Sequence, residues 1–368
     1  MFKYLEIVEW VKREISDKGF AHGDRFLSES DLCARLKVSR QTVRQALAVL
    51  ETRGFISRRR GSGTFVTLPG LYDQAQGQIV GVISTYFSDY IFPHIVSGVE
   101  RVLAKNQITM QLAVTNNLVS DESRALRSML DRNVAGLIVE PSKSALPNPN
   151  VKLYEEVSRK QIPLVFFNAA YGWSDFPLVA MDDVAAGRIA TEHLISLGHE
   201  KIAGIFLLDD MQGHKRYQGF LECQGSDGQA ENRVLWFSNN EKPNLFTFNA
   251  DKVADLLARV SSVVCYNDSI ALGLYEFCRG RGINIPDDLS IVGIDDSRLA
   301  TICAVPLTSV RHPHQRLGER AAETLLSMLG STSAGKQGHL FEPILVKRES
   351  TMRAGLGVFG QRPRKLTA

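Results

Sequence analysis

The apolar residues beyond residue 78 occur as short runs separated by longer amphipathic stretches. The apolar runs are residues 79–84, 109–114, 136–139, 164–167, 201–207, 262–265 and 290–294. Between them, apolar residues recur every three or four positions, as in 95–106, 123–132, 185–197, 270–281 and 315–329. Buried strands that alternate with amphipathic helices are typical of parallel sheets covered by helices on both faces. Because the pattern is longer than one open sheet usually needs, it predicts two α/β lobes.

The first 66 residues carry a different pattern, which predicts three helices followed by a hairpin. The first helix, residues 2–18, has an apolar face of Ile7, Val8, Val11 and Ile15. A capping box of Ser28 and Asp31 begins the second helix. The third helix runs from Arg40 to about Arg53 and turns one apolar stripe inward, formed by Val43, Ala46, Leu47 and Leu50.

The exposed side of the third helix has side chains suited to reading DNA. Ser39 caps this helix, and the polar residues that follow it are Arg40, Gln41, Thr42, Arg44 and Gln45. Arginine bonds guanine, glutamine bonds adenine, and threonine contacts phosphate or a thymine methyl. A helix-turn-helix needs these groups at the start of its recognition helix. The alternative is an ordinary solvated helix face.

The hairpin, residues 55–66, has three consecutive arginines, Arg58, Arg59 and Arg60, before a Gly-Ser-Gly turn. Glycines at such a tip let the backbone approach a phosphate or a minor groove closely. A solvated hairpin is the alternative, but after a helix-turn-helix we interpret the segment as a wing. The first domain is therefore predicted to be a small α+β winged helix-turn-helix.

Positive charge is concentrated in the same segment. The whole chain has 368 residues and a net charge of +3. Residues 1–66 hold 13 basic and 8 acidic residues, and residues 38–66 hold six arginines and one acid. A basic segment on a slightly acidic body is typical of a polyanion-binding module attached to a domain with another role.

The first segment resembles the GntR family of winged-helix regulators. The matching pieces are LSESDL (27–32), VSRQTVR (38–44), LETRG (50–54) and GSGTFV (61–66). The resemblance implies that the third helix enters the major groove and the wing tip the minor groove. With the side-chain chemistry, it gives as DNA-binding residues Lys3, Arg25, Glu29, Ser39, Arg40, Gln41, Thr42, Arg44, Arg59, Arg60, Gly61 and Gly63.

Polar residues follow several of the apolar runs in the larger segment. They include Glu140, Asn168, Asn267 and Asp295, with Arg216 in a nearby helical stretch. Ligands of α/β sheets bind at the carboxyl ends of the strands. Carboxylates, amides, an arginine and aromatic rings together suit a neutral polyol. For any single Asp or Asn, a helix N-cap is the alternative role.

The larger segment resembles the LacI-type regulators, whose effector domain is built like a periplasmic sugar-binding protein. The matching pieces include IVSGVE (95–100), EHLISLGH (192–199), YNDSIALG (266–273) and PDDLSIVGIDD (286–296). The resemblance implies an α/β two-lobed effector domain of the type I periplasmic-binding-protein class, with the ligand between the lobes. It places the effector at Asp89, Tyr90, Phe92, Glu140, Asn168, Arg216, Asn267, Asp295 and His312.

A winged helix of one family joined to a sensor of the other resembles the arabinose-responsive repressors of Gram-positive bacteria. The resemblance extends to SDYIFP (88–93) and DDMQGHKR (209–216), which include the expected pocket positions. It implies L-arabinose as the inducer and arabinose-utilisation genes as the targets. Because two winged helices must read two half-sites, we expect a homodimer that binds a near-palindromic operator and leaves it when the sugar binds. Other sugars or a nucleoside as effector, and a sugar-binding protein without a regulatory role, are the alternatives.

The predicted domains are the winged helix (1–67), a linker (68–78), the effector domain (79–355) and a tail (356–368). The lobes are expected at about 79–180 with 312–338, and 181–311 with 339–355. Residues 223–250 hold many Gly, Asn and Gln residues, so strand and loop are hard to separate there.

Other function classes find little support in the sequence. It has no GxGxxG after a strand, no GxxxxGK[ST], no GxSxG and no HExxH, so we expect no enzyme, cofactor or metal site. Its five cysteines are scattered without CxxC spacing. There is no apolar block of a membrane span or signal peptide, so we expect no membrane partner and a cytoplasmic location.

Overall fold

The structure is a computed structural model that describes residues 3–17, 20, 24–52, 55–59, 63–66, 78–87, 91–224, 230–330 and 337–355. The chain divides into two compact units, Met1–Gln78 and Ile79–Ala368. The predicted linker, apart from Gln78, and all of the predicted tail lie outside the described residues.

The first unit has the three helices and the hairpin that the sequence predicts, and one further strand, β1 (Arg25–Phe26), that it does not. Its helices are α1 (Lys3–Asp17), α2 (Glu29–Leu36) and α3 (Arg40–Thr52), and its strands are β1 (Arg25–Phe26), β2 (Ile56–Arg59) and β3 (Gly63–Val66). The strands form an antiparallel sheet in the order β1-β3-β2. The predicted capping box is present, because the Asp31 amide donates to Ser28 Oγ and the Ser28 amide donates to Asp31 Oδ2.

One apolar core holds this unit together. The predicted apolar faces of α1 and α3 are buried, and they pack with residues of the sheet and α2, namely Phe26, Leu32, Ile56 and Val66. Burial of these side chains stabilises the three helices against one face of the hairpin. The packing fixes which side of α3 remains in solvent.

The second unit consists of two α/β lobes. The strands of the first lobe are β4 (Ile79–Ser84), β5 (Thr109–Val114), β6 (Gly136–Val139), β7 (Leu164–Phe167), β8 (Leu178–Met181) and β14 (His339–Phe341). Those of the second lobe are β9 (Ile202–Leu207), β10 (Val234–Phe237), β11 (Ser262–Cys265), β12 (Ser290–Asp295), β13 (Thr308–Arg311) and β15 (Ile344–Val346).

Helices cover both sheets. They are α4 (Phe92–Lys105), α5 (Val119–Asp131), α6 (Val151–Arg159), α7 (Asp183–Ser196), α8 (Met211–Glu222), α9 (Leu245–Phe248), α10 (Ala250–Leu257), α11 (Asp268–Arg279), α12 (Leu299–Ile302) and α13 (His314–Gly330). Each sheet has a separate apolar core on each of its two faces. No helix of the described ranges is long and apolar enough to cross a membrane.

The strand orders are β14-β8-β7-β6-β4-β5 in the first sheet and β10-β9-β11-β12-β13-β15 in the second. All pairs are parallel except β13 with β15. The expected lobe boundary at residue 339 is wrong, because His339 to Phe341 pair with β8 of the first sheet. The last crossover lies between β14 and β15. In the ambiguous segment 223–250, residues of β10 form an edge strand beside β9.

Candidate functional site

Helix α3 presents a polar face to solvent. The side chains of Arg40, Gln41, Arg44 and Gln45 are exposed, whereas the predicted inward stripe is buried. The Thr42 amide donates to Ser39 Oγ at 3.3 Å, so Ser39 caps the helix as expected. The start of α3 therefore offers guanidinium, amide and hydroxyl groups, which are the groups that read base edges and phosphates.

Two of the arginines near this face are held by carboxylates. Arg44 Nε donates to Glu29 Oε2 at 3.0 Å. Arg58 Nη2 donates to Glu51 Oε2 at 2.6 Å, and this hydrogen bond lowers the pKa of Glu51. The side chain of Arg58 thus lies against the end of α3, whereas from the sequence we expected it among the arginines that lead into the wing tip. Arg44 remains at the exposed surface of α3.

The other predicted DNA contacts lie at the edges of the unit. Arg25 is exposed on β1, and a Cβ added to Gly63 would lie 3.2 Å from its Nε. Gly63 has φ of +115°, which favours glycine. Lys3 begins α1 and Arg59 ends β2, but their side chains are not described. Arg60 and Gly61 lie outside the described residues.

A cleft lies between the two lobes of the second unit. The first lobe contributes Thr85, Tyr86, Ile91, Phe92, Asn117, Glu140, Pro141 and Ala169 to its lining. The second lobe contributes Leu207, Asp210, Gln212, Arg216, Asn239, Lys242, Tyr266, Asn267 and Asp295. Most of the polar groups follow the carboxyl ends of strands, where a doubly wound sheet places its ligand.

Arg216 is the central charge of the second lobe. It is 2% exposed, and its Nε donates to Asp183 Oδ1 at 2.8 Å. Its Nη1 donates to the carbonyl of Tyr266 at 2.6 Å, and Nη2 lies 3.8 Å from Asp295 Oδ1. Burial disfavours its charge, but Asp183 and Asp295 outweigh burial and raise the pKa of Arg216. The guanidinium is therefore charged and fixed in orientation.

Close packing of two helices brings Arg216 to its partner. A Cβ at Gly187 of α7 would lie 2.0 Å from the Arg216 carbonyl oxygen, and one at Gly219 of α8 would lie 1.9 Å from the Val184 carbonyl. Only glycine allows the helices to approach this closely. Asp183, at the start of α7, then lies within reach of Arg216.

Glu140 is the central carboxylate of the first lobe. It is 5% exposed, and its Oε2 accepts hydrogen bonds from the backbone amide and the hydroxyl of Thr85. Its Oε1 accepts from Asn168 Nδ2 at 2.7 Å. Burial raises the pKa of Glu140 to about 7, although the bonds from Thr85 and Asn168 oppose the shift. Near neutral pH this group can therefore both accept and donate hydrogen bonds.

Three buried polar atoms near these groups have no partner within the described part of the chain. They are Asn168 Oδ1 and the two ring nitrogens of His312. Burial lowers the pKa of His312 well below its usual value, so the ring is neutral. Asn168 and Asp295 have φ of +62° and +117°, which is unusual for residues other than glycine. Strained backbone and unpaired buried groups both occur preferentially where a ligand binds.

Comparison with known protein families matches both units. Residues 3–66 match the family of bacterial regulatory proteins called gntR, and residues 191–351 match the periplasmic binding protein-like domain. The chain is 39% identical to an arabinose metabolism transcriptional repressor of Geobacillus stearothermophilus over 95% of this chain and 97% of the relative. It is 36% identical to the repressor of the same description from Halalkalibacterium halodurans, over 96% and 97%.

The chain belongs to the family of arabinose metabolism transcriptional repressors.

Solved structures agree with the fold of this repressor family member. The transcription regulator CcpA of Lactococcus lactis has a TM-score of 0.65 at 24% identity, covering 75% of this chain and 99% of that one. The transcriptional regulator CelR in its cellobiose complex has a TM-score of 0.65 at 22% identity, covering 85% and 91%. The members of the family are repressors rather than enzymes, as the sequence analysis expected.

The repressor's cleft brings together five of the expected effector residues, namely Phe92, Glu140, Arg216, Asn267 and Asp295. Asn168 and His312 do not line the cavity. Asn168 Nδ2 donates to Glu140 Oε1, and the His312 amide donates to the Asp295 carbonyl at 3.2 Å. Asp89 and Tyr90 lie outside the described residues.

Sequence reasoning missed several polar groups of the cleft. They are Asn117, Asp210, Gln212, Asn239, Lys242 and Tyr266. Two of them had a usable signal, because Tyr266 and Asp210 follow the apolar runs that became β11 and β9. The others lie on loops and helix starts whose positions depend on the folded chain.

Proposed function

We propose that this repressor binds operator DNA through its winged helix, binds L-arabinose in its cleft, and releases the operator when the sugar is bound. The observation that carries this proposal is the cleft itself, where Glu140 of one lobe and Arg216 with Asp295 of the other line a single cavity. The identity of the relatives supports L-arabinose as the sugar.

The lining suits a small neutral polyol. Carboxylates accept hydrogen bonds from hydroxyls, and the guanidinium donates to them, so both ends of each hydroxyl can be paired. Tyr86 and Phe92 pack edge to face with ring centroids 5.8 Å apart and give the cleft an apolar wall. Such a wall can cover the C–H face of a sugar ring.

Regulation follows from a ligand that contacts both lobes. A sugar can bond Glu140 and Arg216 together only when the cleft is closed, so it favours the closed state. A difference of a few kcal/mol in its affinity for the two states is enough to change operator affinity substantially. We propose that further residues contact the sugar or support such contacts, namely Asp89, Tyr90, Asn168, Asn267 and His312.

The DNA-binding half of the proposal rests on the exposed start of α3. Arg40, Gln41, Thr42 and Arg44 would contact the major groove, and the wing arginines the adjacent phosphates or minor groove. Two winged helices are needed to read a near-palindromic operator, so we propose that the chain acts as a homodimer. We propose a cytoplasmic location, where operator DNA and the internalised sugar are both present.

The test is calorimetry of the full chain with L-arabinose, D-xylose, D-ribose, D-galactose and a nucleoside. We expect saturable binding of L-arabinose and much weaker binding of its C4 epimer D-xylose and of D-ribose, because a displaced hydroxyl leaves buried groups unpaired. Preference for another sugar or for the nucleoside would overturn the effector assignment. No binding of any of them would overturn the sugar-responsive mechanism.

A further inference from the structure

Ser144 of the first lobe contacts the second lobe outside the lining of the cavity. Its hydroxyl donates to Asp210 Oδ1 at 2.7 Å and accepts from the amide of Met211 at 2.9 Å. Ser144 is 4% exposed. A hydroxyl of one lobe thus caps the first turn of α8 in the other lobe, where a backbone amide otherwise lacks a partner within the helix.

The loop that carries Ser144 is fixed to its own lobe. The Ser142 amide donates to Glu122 Oε2 at 2.6 Å, and the Lys143 amide donates to Asn117 Oδ1 at 2.7 Å. Glu122 is fully buried and also accepts from Asn148 Nδ2 at 3.0 Å. Because this loop is anchored to the first lobe, Ser144 cannot follow α8 when the lobes separate.

Two further contacts join the two lobes. Lys143 Nζ is 3.9 Å from Asp209 Oδ2, and Asn239 bonds the hydroxyl of Tyr86 across the cleft. All of these groups can be solvated by water when the cleft is open, so each contact adds only a small net preference for closure. Because each contact adds little, a small ligand can still shift the equilibrium between the open and the closed cleft.

Asp210 links the contact to the cavity. Its Oδ1 accepts from Ser144, its Oδ2 accepts from the Tyr266 hydroxyl at 2.9 Å, and its side chain lines the cleft. We propose that Ser144, Asp210 and Met211 form a latch that favours the closed cleft and so sets the sugar concentration at which the repressor leaves its operator. Ser144 acts as a positioning residue in this latch. The proposal rests on the proposed function, whose sugar-binding site it regulates.

The effect of breaking the latch follows from population arithmetic. If sugar binds the closed state, its apparent dissociation constant rises as the closed fraction of the free protein falls. Removal of the two hydrogen bonds that Ser144 makes across the cleft should raise that constant about three- to tenfold. The operator affinity of the open form itself should not change, and that of the sugar-free protein, which is a mixture of open and closed forms, should change less than twofold.

The experiment compares the full-length chain with Ser144→Ala, Ser144→Thr and a matched control, Ser158→Ala, at an exposed serine of α6 in the same lobe. Calorimetry gives the dissociation constant of L-arabinose, and operator binding is measured without sugar. Amide exchange of residues 207–216 in the sugar-free protein reports directly on the Met211 amide. Thermal unfolding checks that all variants are folded.

We expect Ser144→Ala to weaken sugar binding three- to tenfold and to speed exchange of the Met211 amide, while sugar-free operator affinity stays within twofold of the parent. Ser144→Thr keeps the hydroxyl and should remain within twofold of the parent, as should Ser158→Ala. Equal sugar affinity in the parent and Ser144→Ala, or an equal loss in Ser144→Thr, would overturn the latch. Hydroxyl-dependent protection of Met211 without any sugar binding would support the latch while overturning the proposed function.

Discussion

The two functional surfaces of this repressor use arginine in opposite ways. The side chain of Arg44 in the winged helix is 68% exposed and pairs with Glu29 at 3.0 Å. Arg216 in the cleft is 2% exposed and bonds Asp183 at 2.8 Å. An exposed ion pair adds little stability and is easily exchanged for another partner, whereas a buried cation depends on its carboxylates.

The difference corresponds to the ligands proposed for the two surfaces. DNA is a polyanion that arrives with its own charge, so the protein needs arginines that can leave their carboxylates. A neutral sugar brings no charge, so the cleft must balance its own charges before the ligand binds. The predictions that follow test this contrast, beginning with the largest expected effect.

Replacement of Arg216 by Ala should have the largest effect. It leaves Asp183 and Asp295 buried without their cation, which should lower the free energy of unfolding by about 3–5 kcal/mol and abolish sugar binding. Urea unfolding and calorimetry measure the two effects. Arg188→Ala, which removes an exposed arginine paired with Glu222, is the control and should leave the unfolding midpoint unchanged. Equal losses of stability from Arg216→Ala and Arg188→Ala would contradict the difference between buried and exposed arginines.

The stability of the cleft unit should depend on pH through Glu140. Its pKa is about 7 in the folded chain and 4.5 without the environment of the fold, so the folded state binds more protons between these values. Stability should therefore fall as pH rises from about 4.5 to about 7, by up to about 3 kcal/mol from this group.

Glu140→Gln keeps the shape of the side chain and removes this titration. Urea unfolding at pH 5 and at pH 7.5 should show a smaller loss of stability in the variant than in the parent. Other buried groups, such as Asp268, contribute equally to both chains and cancel in the difference. The same pH dependence in both chains would show that Glu140 does not titrate in this range.

Arg44→Ala should weaken operator binding by about 1–3 kcal/mol and relax specificity at one operator position. It should not change the unfolding midpoint, because its ion pair is exposed. Fluorescence anisotropy with the operator and with a scrambled duplex measures the effect. An equal loss on both duplexes would identify Arg44 as a phosphate contact instead of a base contact.

The smallest predicted effect concerns two neighbouring arginines of β2, Arg58 and Arg59. Arg59→Ala should lower the salt dependence of operator binding by about one counterion, because it is expected to contact phosphate. Arg58→Ala should leave the salt dependence unchanged, because both Nε and Nη2 of Arg58 donate to Glu51 and hold the guanidinium more firmly than the bond from Nε holds Arg44 to Glu29. Salt titrations of operator affinity measure both. A larger change with Arg58→Ala would reverse the assignment.

The periodicity of the sequence was sufficient to predict the winged helix and the alternating α/β lobes. It could not place groups whose position depends on tertiary packing. Asp182-Asp183 and Asp209-Asp210 each resembled an ordinary helix start, and Asp182 and Asp210 do cap helices. Asp183, however, reaches Arg216 because two glycines let their helices approach closely, which no local pattern reveals.

Two further features differ from the sequence-based prediction because they also depend on tertiary packing. Arg58 belongs to a run of three arginines, and only the folded hairpin brings it to Glu51 of α3. The lobe boundary depends on a three-residue edge strand, β14, whose length is too short for a periodic signal. Pairing with β8 decides its lobe, and that pairing depends on residues more than 150 positions away in the sequence.

Release of the operator by sugar is the most direct test of the whole account. Labelled operator bound to the full-length chain is titrated with L-arabinose while its anisotropy is followed. We predict a saturable fall to the value of free DNA for the parent chain, and no fall for Arg216→Ala under conditions where that variant is folded and bound. An operator complex of the parent chain that persists at saturating L-arabinose would contradict the account.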